Sequence, residues 1–162
     1  MTRDEKRQWK ALEDDAPAAE FVALFWARRD PTPGTAANEF RAQFDERVAK
    51  ADYLYAINKT RGALTDPGRV YIVIGPPERS GVAPRPPSAG RMSRELLFDY
   101  GKYPQKLGLT NTVVFIENMM THEFNLDPQR ANVTGALDQA VNKAIVNRDL
   151  HAVPDWARPA AP

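Results

Sequence analysis

Nine residues in two short blocks have the types from which a binding or acid–base site could be built. The first block is Arg28-Arg29-Asp30, followed by Asn38, Glu39 and Arg41; the second is Thr65-Asp66, followed by Arg69. An arginine fork offers parallel donors that match a carboxylate or a phosphate. A buried aspartate beside Arg69 or Arg29 is a candidate general acid, but such work needs a positioned partner and a cleft. Brought together, these groups would suit an anionic small ligand, and Asp30, Asp66 and Arg69 in a pocket would suit a hydrolytic enzyme. The same residues also have a purely structural use. Arg28 and Arg29 fall where a helix ends and Glu39 where one begins, and charges of those signs are favourable there. Asp66 in an Asp-Pro-Gly turn can clamp backbone N–H groups. Asp66 is expected to pair with Arg28, Arg29 or Arg69, which would join the two blocks in space. No catalytic residue is assigned.

Other chemistry finds little support. The chain has no cysteine, so disulfides, thiolate metal sites and a cysteine nucleophile are excluded. His122-Glu123 lacks the second histidine four residues on that a helical zinc site needs, and His151 is distant in sequence. No metal site and no cofactor are expected. Gly75-Pro76-Pro77 lacks the Gly-Lys-Ser/Thr ending of a phosphate loop, and its prolines remove N–H donors. Ala83-Pro84-Arg85-Pro86-Pro87 could form a polyproline helix read by a partner, or a plain loop.

The elements that must position the polar blocks follow from periodicity. Residues 3–13 are charged with Trp9 and Leu12 on one side, which predicts a short amphipathic helix. Asp14-Asp15-Ala16-Pro17 starts a second helix, with Phe21, Leu24, Phe25 and Arg28 on one face. Pro31 ends it, and Pro31, Pro33 and Gly34 form a rigid corner. Thr35 is the expected N-cap of the third helix, whose stripe is Phe40, Phe44, Val48, Ala51 and Tyr55. Arg41, Asp45, Arg47 and Asp52 lie away from that stripe. The run Val70-Tyr71-Ile72-Val73-Ile74 is expected to be a central strand, and residues 78–94 a long exposed loop. Further strands are expected at Leu96–Tyr100, Val113–Glu117 and Glu123–Leu126, with a turn region from Tyr103 to Asn111. Asp127-Pro128 opens a last helix carrying Val133, Leu137, Val141, Ala144 and Ile145. The order predicts an α+β fold: N-terminal helices joined by a proline-rich corner, a small, mostly antiparallel sheet of three or four strands, and a C-terminal helix.

The 162 residues predict a single domain over 1–150, with 151–162 a Pro/Ala-rich linker or tail. Basic and acidic residues balance, 22 against 21, so no global attraction to nucleic acid is expected. No apolar run approaches the roughly 18–20 residues that span a bilayer. The first ten residues hold no apolar stretch of the signal-peptide kind.

Phe25-Trp26, Arg28 through Pro33, Thr35, Asn38-Glu39-Phe40-Arg41 and Arg47-Val48 form one specific pattern. Gly62, Thr65-Asp66, Gly68-Arg69-Val70-Tyr71-Ile72 and Gly75-Pro76-Pro77 form a second. Together they resemble the GWxTD domain of bacterial proteins over about a third of the chain. The tryptophan that names that domain is Ala63 here, and Pro67 stands where the family often has a basic residue. The resemblance implies a domain of unknown biochemical function, set in larger and often exported proteins, with no established catalytic residues. The expected role is therefore a non-catalytic interaction or scaffold module, with a protein partner or neighbouring domains and a periplasmic or otherwise exported location. The alternative is a small-ligand-binding or hydrolytic enzyme with an Asp/Arg pocket at the helix corner.

Overall fold

The computed structural model describes residues 1, 3–88, 91–101 and 111–127. The expected C-terminal helix, the 151–162 tail and most of the turn region before Asn111 lie outside the described residues. The described chain divides between two compact units, one running to Asp45 and the other starting at Glu46. It is an α+β protein, with four α-helices and one four-stranded antiparallel sheet among the described residues.

In the first unit, α1 spans Arg3–Lys10 and α2 spans Asp15–Ala27. α1 has acidic residues in its first turn and basic residues in its last, matching the helix dipole. Its Trp9 ring meets Phe21 of α2 at 5.5 Å between centroids. α2 begins at the expected place, with Pro17 in the first turn, where its missing N–H costs no bond. It ends with Arg28 N–H on Leu24 O and Arg29 N–H on Trp26 O. α3, Glu39–Tyr55, starts in this unit and ends in the next.

The second unit holds the end of α3, a 3-10 turn at Gly62–Leu64, α4 at Asp66–Ile74, and the sheet. Its strands are β1 Arg79–Ser88, β2 Arg91–Asp99, β3 Thr112–Glu117 and β4 Phe124–Leu126, ordered β1-β2-β3-β4 as a meander. Leu96 pairs with Phe115 and Phe98 with Val113, so one sheet face carries all four side chains. That face contributes Phe98, Val113 and Phe115 to a core completed by Tyr100 and by Ala51, Val70, Tyr71 and Ile74 from the helices. Aromatic rings fill it: Phe98 lies 4.9 Å from Phe115 and 5.5 Å from Tyr55. Burial pushes the Tyr55 hydroxyl up to about 12 and that of Tyr100 further in the same direction.

Two expectations are overturned. Val70–Ile74 is the second half of α4, not a strand. Thr65 caps the helix, its Oγ1 accepting from Gly68 N–H at 3.2 Å, and Pro67 sits in the first turn. The buried positions Pro67, Val70, Tyr71 and Ile74 recur at helical steps. The five-residue apolar run is compatible with either structure, and the cap-then-proline start decides it. Residues 78–94 are likewise not a loop: Arg79–Ser88 pairs with β2, Pro84 lying opposite Arg94. Among the described residues β1 pairs on one side only, and an edge strand tolerates proline because its outward N–H groups have no ladder partner. The register shifts between Arg85 and Ser88, at the Pro86-Pro87 pair. Arg79 to Val82 are exposed, as expected of that segment.

Candidate functional site

The first polar block is absorbed by the helix corner. Arg29 is 5% exposed and forms a forked pair with Glu5 of α1, Nη2 to Oε2 at 2.8 Å and Nη1 to Oε1 at 3.1 Å. Its Nη1 also donates to Phe25 O at 2.8 Å, and the guanidinium lies 3.6 Å over the Phe25 ring. Arg28 approaches the same carboxylate at 3.9 Å. Asp30 turns inward on its own loop, its Oδ1 accepting from Thr32 N–H at 2.9 Å. Thr32 Oγ1 donates to Glu39 at 2.6 Å, and this bond, with a backbone one, holds the Glu39 carboxyl below its usual range. Arg41 is exposed, 3.8 Å from Asp45 and 5.8 Å over the Trp26 ring.

Asn38, not Thr35, caps α3. Its Oδ1 accepts from Arg41 N–H at 2.9 Å while its Nδ2 donates to Trp26 O at 2.8 Å, so one side chain serves the start of α3 and the end of α2. Thr35 bonds within the corner, donating to Thr32 O and Ala37 O. A backbone turn from Thr35 N–H to Thr32 O keeps that hydroxyl away from the helix start.

The second block builds the start of α4. Gly62 lies so close to α3 that an added Cβ would sit 1.9 Å from the Ala51 carbonyl oxygen. Gly68 lies against Gly62 in turn, its Cβ position 1.8 Å from the Gly62 carbonyl oxygen. Thr65 Oγ1 also donates to Gly62 O at 2.7 Å. Asp66 does not pair with arginine as expected: its Oδ2 accepts from Leu126 N–H at 2.9 Å, and no described cation bridges it. An N–H on β4 lies within reach of the carboxylate because α4 packs against that strand. Arg29 is committed to Glu5, and Arg69 is exposed. The nine residues therefore fall into two groups that do not share partners, 28–41 around the corner and 65–69 at the start of α4. Ala63 is half-buried and donates its N–H to Asp52.

Sequence reasoning missed the roles of four polar residues, Asp52, Arg47, Tyr100 and Glu117. Asp52 accepts from Ala63 N–H at 2.8 Å and from Arg61 Nε at 3.1 Å, and these bonds lower its carboxyl below the usual range, Arg61 contributing most. It is a clamp rather than a bystander on a solvated helix face. Arg47 donates to Ile72 O at 3.1 Å, and Tyr100 OH donates to Gly75 O at 3.0 Å, closing the C-terminal end of α4. Gly75 there has φ +106°, a conformation that glycine alone adopts without strain. Glu117 at the end of β3 is buried. It accepts from Arg94 Nε at 2.8 Å, is also bonded by Arg94 Nη2, and lies 3.1 Å from His122 Nδ1. Arg94 first, then His122, hold the Glu117 carboxyl down at about 2. Only the helical position of Asp52, three residues from Tyr55 and beside Ala51, hinted at any of these roles.

Among the described residues no three His, Asp or Glu side chains converge on one point, and no helix is long and apolar enough to cross a membrane. No family model, no curated protein and no solved structure matches the chain.

Proposed function

We propose that this chain is a non-catalytic interaction or scaffold module. The observation that carries the reading is the occupation of the carboxylates in the two blocks and of Asp52 between them. Asp30, Glu39, Asp52 and Asp66 each accept a structural hydrogen bond from a nearby N–H or hydroxyl. A carboxylate committed to holding the backbone is poorly placed to exchange a proton with a substrate. Apolar side chains are exposed beside this framework. Tyr53 is 86% exposed and Leu54 and Leu64 are exposed too. The Asp52–Ala63 bond and the Gly62–Ala51 approach set the Leu64 turn against the end of α3 that carries Tyr53 and Leu54. Exposed aromatic and aliphatic groups on rigid elements suit a protein partner. The near-zero net charge favours a protein surface over nucleic acid. The GWxTD-like motifs support a setting within a larger, exported bacterial protein.

Photo-cross-linking in the cells that make the protein tests this. A reactive residue at Tyr53 or Leu64 is expected to give a discrete protein adduct, and one at exposed Ser80 none. Equal labelling at all three positions would overturn the interaction surface. Turnover of an ester or phosphoester that Asp66→Asn abolishes, in a folded variant, would establish the hydrolytic alternative instead.

A further inference from the structure

The turn joining β3 to β4 reads Asn118-Met119-Met120-Thr121-His122-Glu123, and it displays two thioethers and an imidazole to solvent. Met120 is 92% exposed, Met119 46%, and the His122 side chain 68%. Hairpin tips ordinarily carry polar, turn-forming residues, so two methionines here need a reason. The turn itself is well tied. His122 N–H reaches back to Asn118 O, and Asn118 N–H donates to Glu123 O, both at 2.7 Å. Asn118 Oδ1 accepts from Met120 N–H at 2.9 Å, and Asn58 Nδ2 donates to Thr121 O at 3.1 Å. Closing the chain from Asn118 to His122 gathers Met119, Met120 and His122 into one tied turn, and each methionine has three rotatable bonds through which its sulfur can reach a shared ion.

The imidazole is oriented. Its Nδ1 lies 3.1 Å from Glu117, whose buried carboxylate is fixed by Arg94 and can only accept. In the neutral ring the proton therefore sits on Nδ1 and the lone pair on Nε2. Among the described residues Nε2 has no partner. A carboxylate behind one ring nitrogen is the usual support for a metal on the other. We propose that the β3–β4 turn binds a soft monovalent metal ion, Cu(I) or Ag(I), through the Met119 and Met120 sulfurs and His122 Nε2. Thioethers select such ions over hard cations, which require oxygen donors. Zinc is disfavoured, because structural zinc takes four donors and thioether is not among its ligands.

The test uses the full chain, with Ag(I) in chloride-free buffer and, anaerobically, Cu(I) in competition with a chromophoric chelator. One equivalent is expected to bind saturably and to shift the Met119 and Met120 methyl resonances. The double variant Met119→Leu/Met120→Leu keeps side-chain size, and His122→Asn keeps a residue that tolerates φ +58°. Each is expected to weaken binding by about tenfold or more, while Met92→Leu leaves it unchanged. Wild-type affinity in the double variant, with its fold intact by circular dichroism, would overturn the site. So would binding without saturation, or equal binding of Zn(II).

Discussion

Gly62→Ala is the sharpest test of how the second motif block works. The added methyl would lie 1.9 Å from the Ala51 carbonyl oxygen, 2.7 Å from its carbon and 2.8 Å from Ala56 N. Against a floor of 3.0 Å for real Cβ contacts, the shortfall at the oxygen is about 1.1 Å. Every obstructing atom is backbone, so no rotamer change relieves it. Ala51 is fully buried, and Gly68 is stacked against Gly62 from the other side, so separating the turn from α3 also disturbs the start of α4. Overpacking costs about 1–3 kcal/mol where side chains can yield; here the loss is expected at about 3 kcal/mol or more. With a urea slope of about 1.5 kcal/mol per molar, the midpoint would fall by about 2 M. Tyrosine absorbance is the suitable signal, because Tyr55, Tyr71 and Tyr100 all belong to that core. Gly34→Ala is the control. Nothing lies within 4 Å of its Cβ position, so it should be neutral or gain up to about 1 kcal/mol. Equal midpoints for the two variants would refute the packing argument.

Asp66→Ala is expected to cost about 1–3 kcal/mol by leaving Leu126 N–H without its acceptor, whereas Asp66→Asn, which still offers an oxygen, should cost under about 1 kcal/mol. Equal losses in denaturant titration would mean that the charge matters and that a cation holds it. Arg29→Met should lose about 3–5 kcal/mol by removing the forked partner of the buried Glu5 carboxylate, and adding Glu5→Gln should restore part of that loss; a double variant no better than the single one removes the buried-pair account. The Glu117 carboxyl falls from its ordinary 4.5 to about 2 on folding, so its contribution is complete above about pH 4.5 and is lost as pH drops toward 2. Glu117→Gln should flatten the acid limb of the stability profile over that window, and parallel profiles would contradict it.

The parts of the fold legible in the sequence are those in which one period persists, a cap is unambiguous, or a β-branched run stands between polar residues. β3 alternates little but is bounded and β-branched, and α2 starts at its acidic cap and proline as expected. In α4 the Val70–Ile74 run suits a strand, while Thr65-Asp66-Pro67 carries the same cap-then-proline signal that starts α2, and the structure follows the latter. A short apolar run carries no period of its own, so the residues before it hold the information. β1 was hidden for the opposite reason. Its prolines are incompatible with a central strand, and only the sheet order, which no local signal encodes, reveals that they face an open edge.

The candidate site divides in the same way. Residue types told correctly that the two blocks are rich in acceptors and forks, but not who receives them. Glu5 and Arg29 are 24 positions apart, and Asp66 and Leu126 are 60 apart. Each pairing depends on which helix face meets which element, and a sequence motif does not contain that distance. The cap at Asn38 is subtler, because Thr35 and Asn38 are both good N-caps. The choice fell to Asn38 because its amide can also satisfy Trp26 O at the end of α2, a second bond that a threonine hydroxyl at position 35 has no means to make. Capping propensity alone does not separate the two, and the bond from the Asn38 amide to Trp26 O, a carbonyl that also accepts from Arg29 N–H, favours position 38.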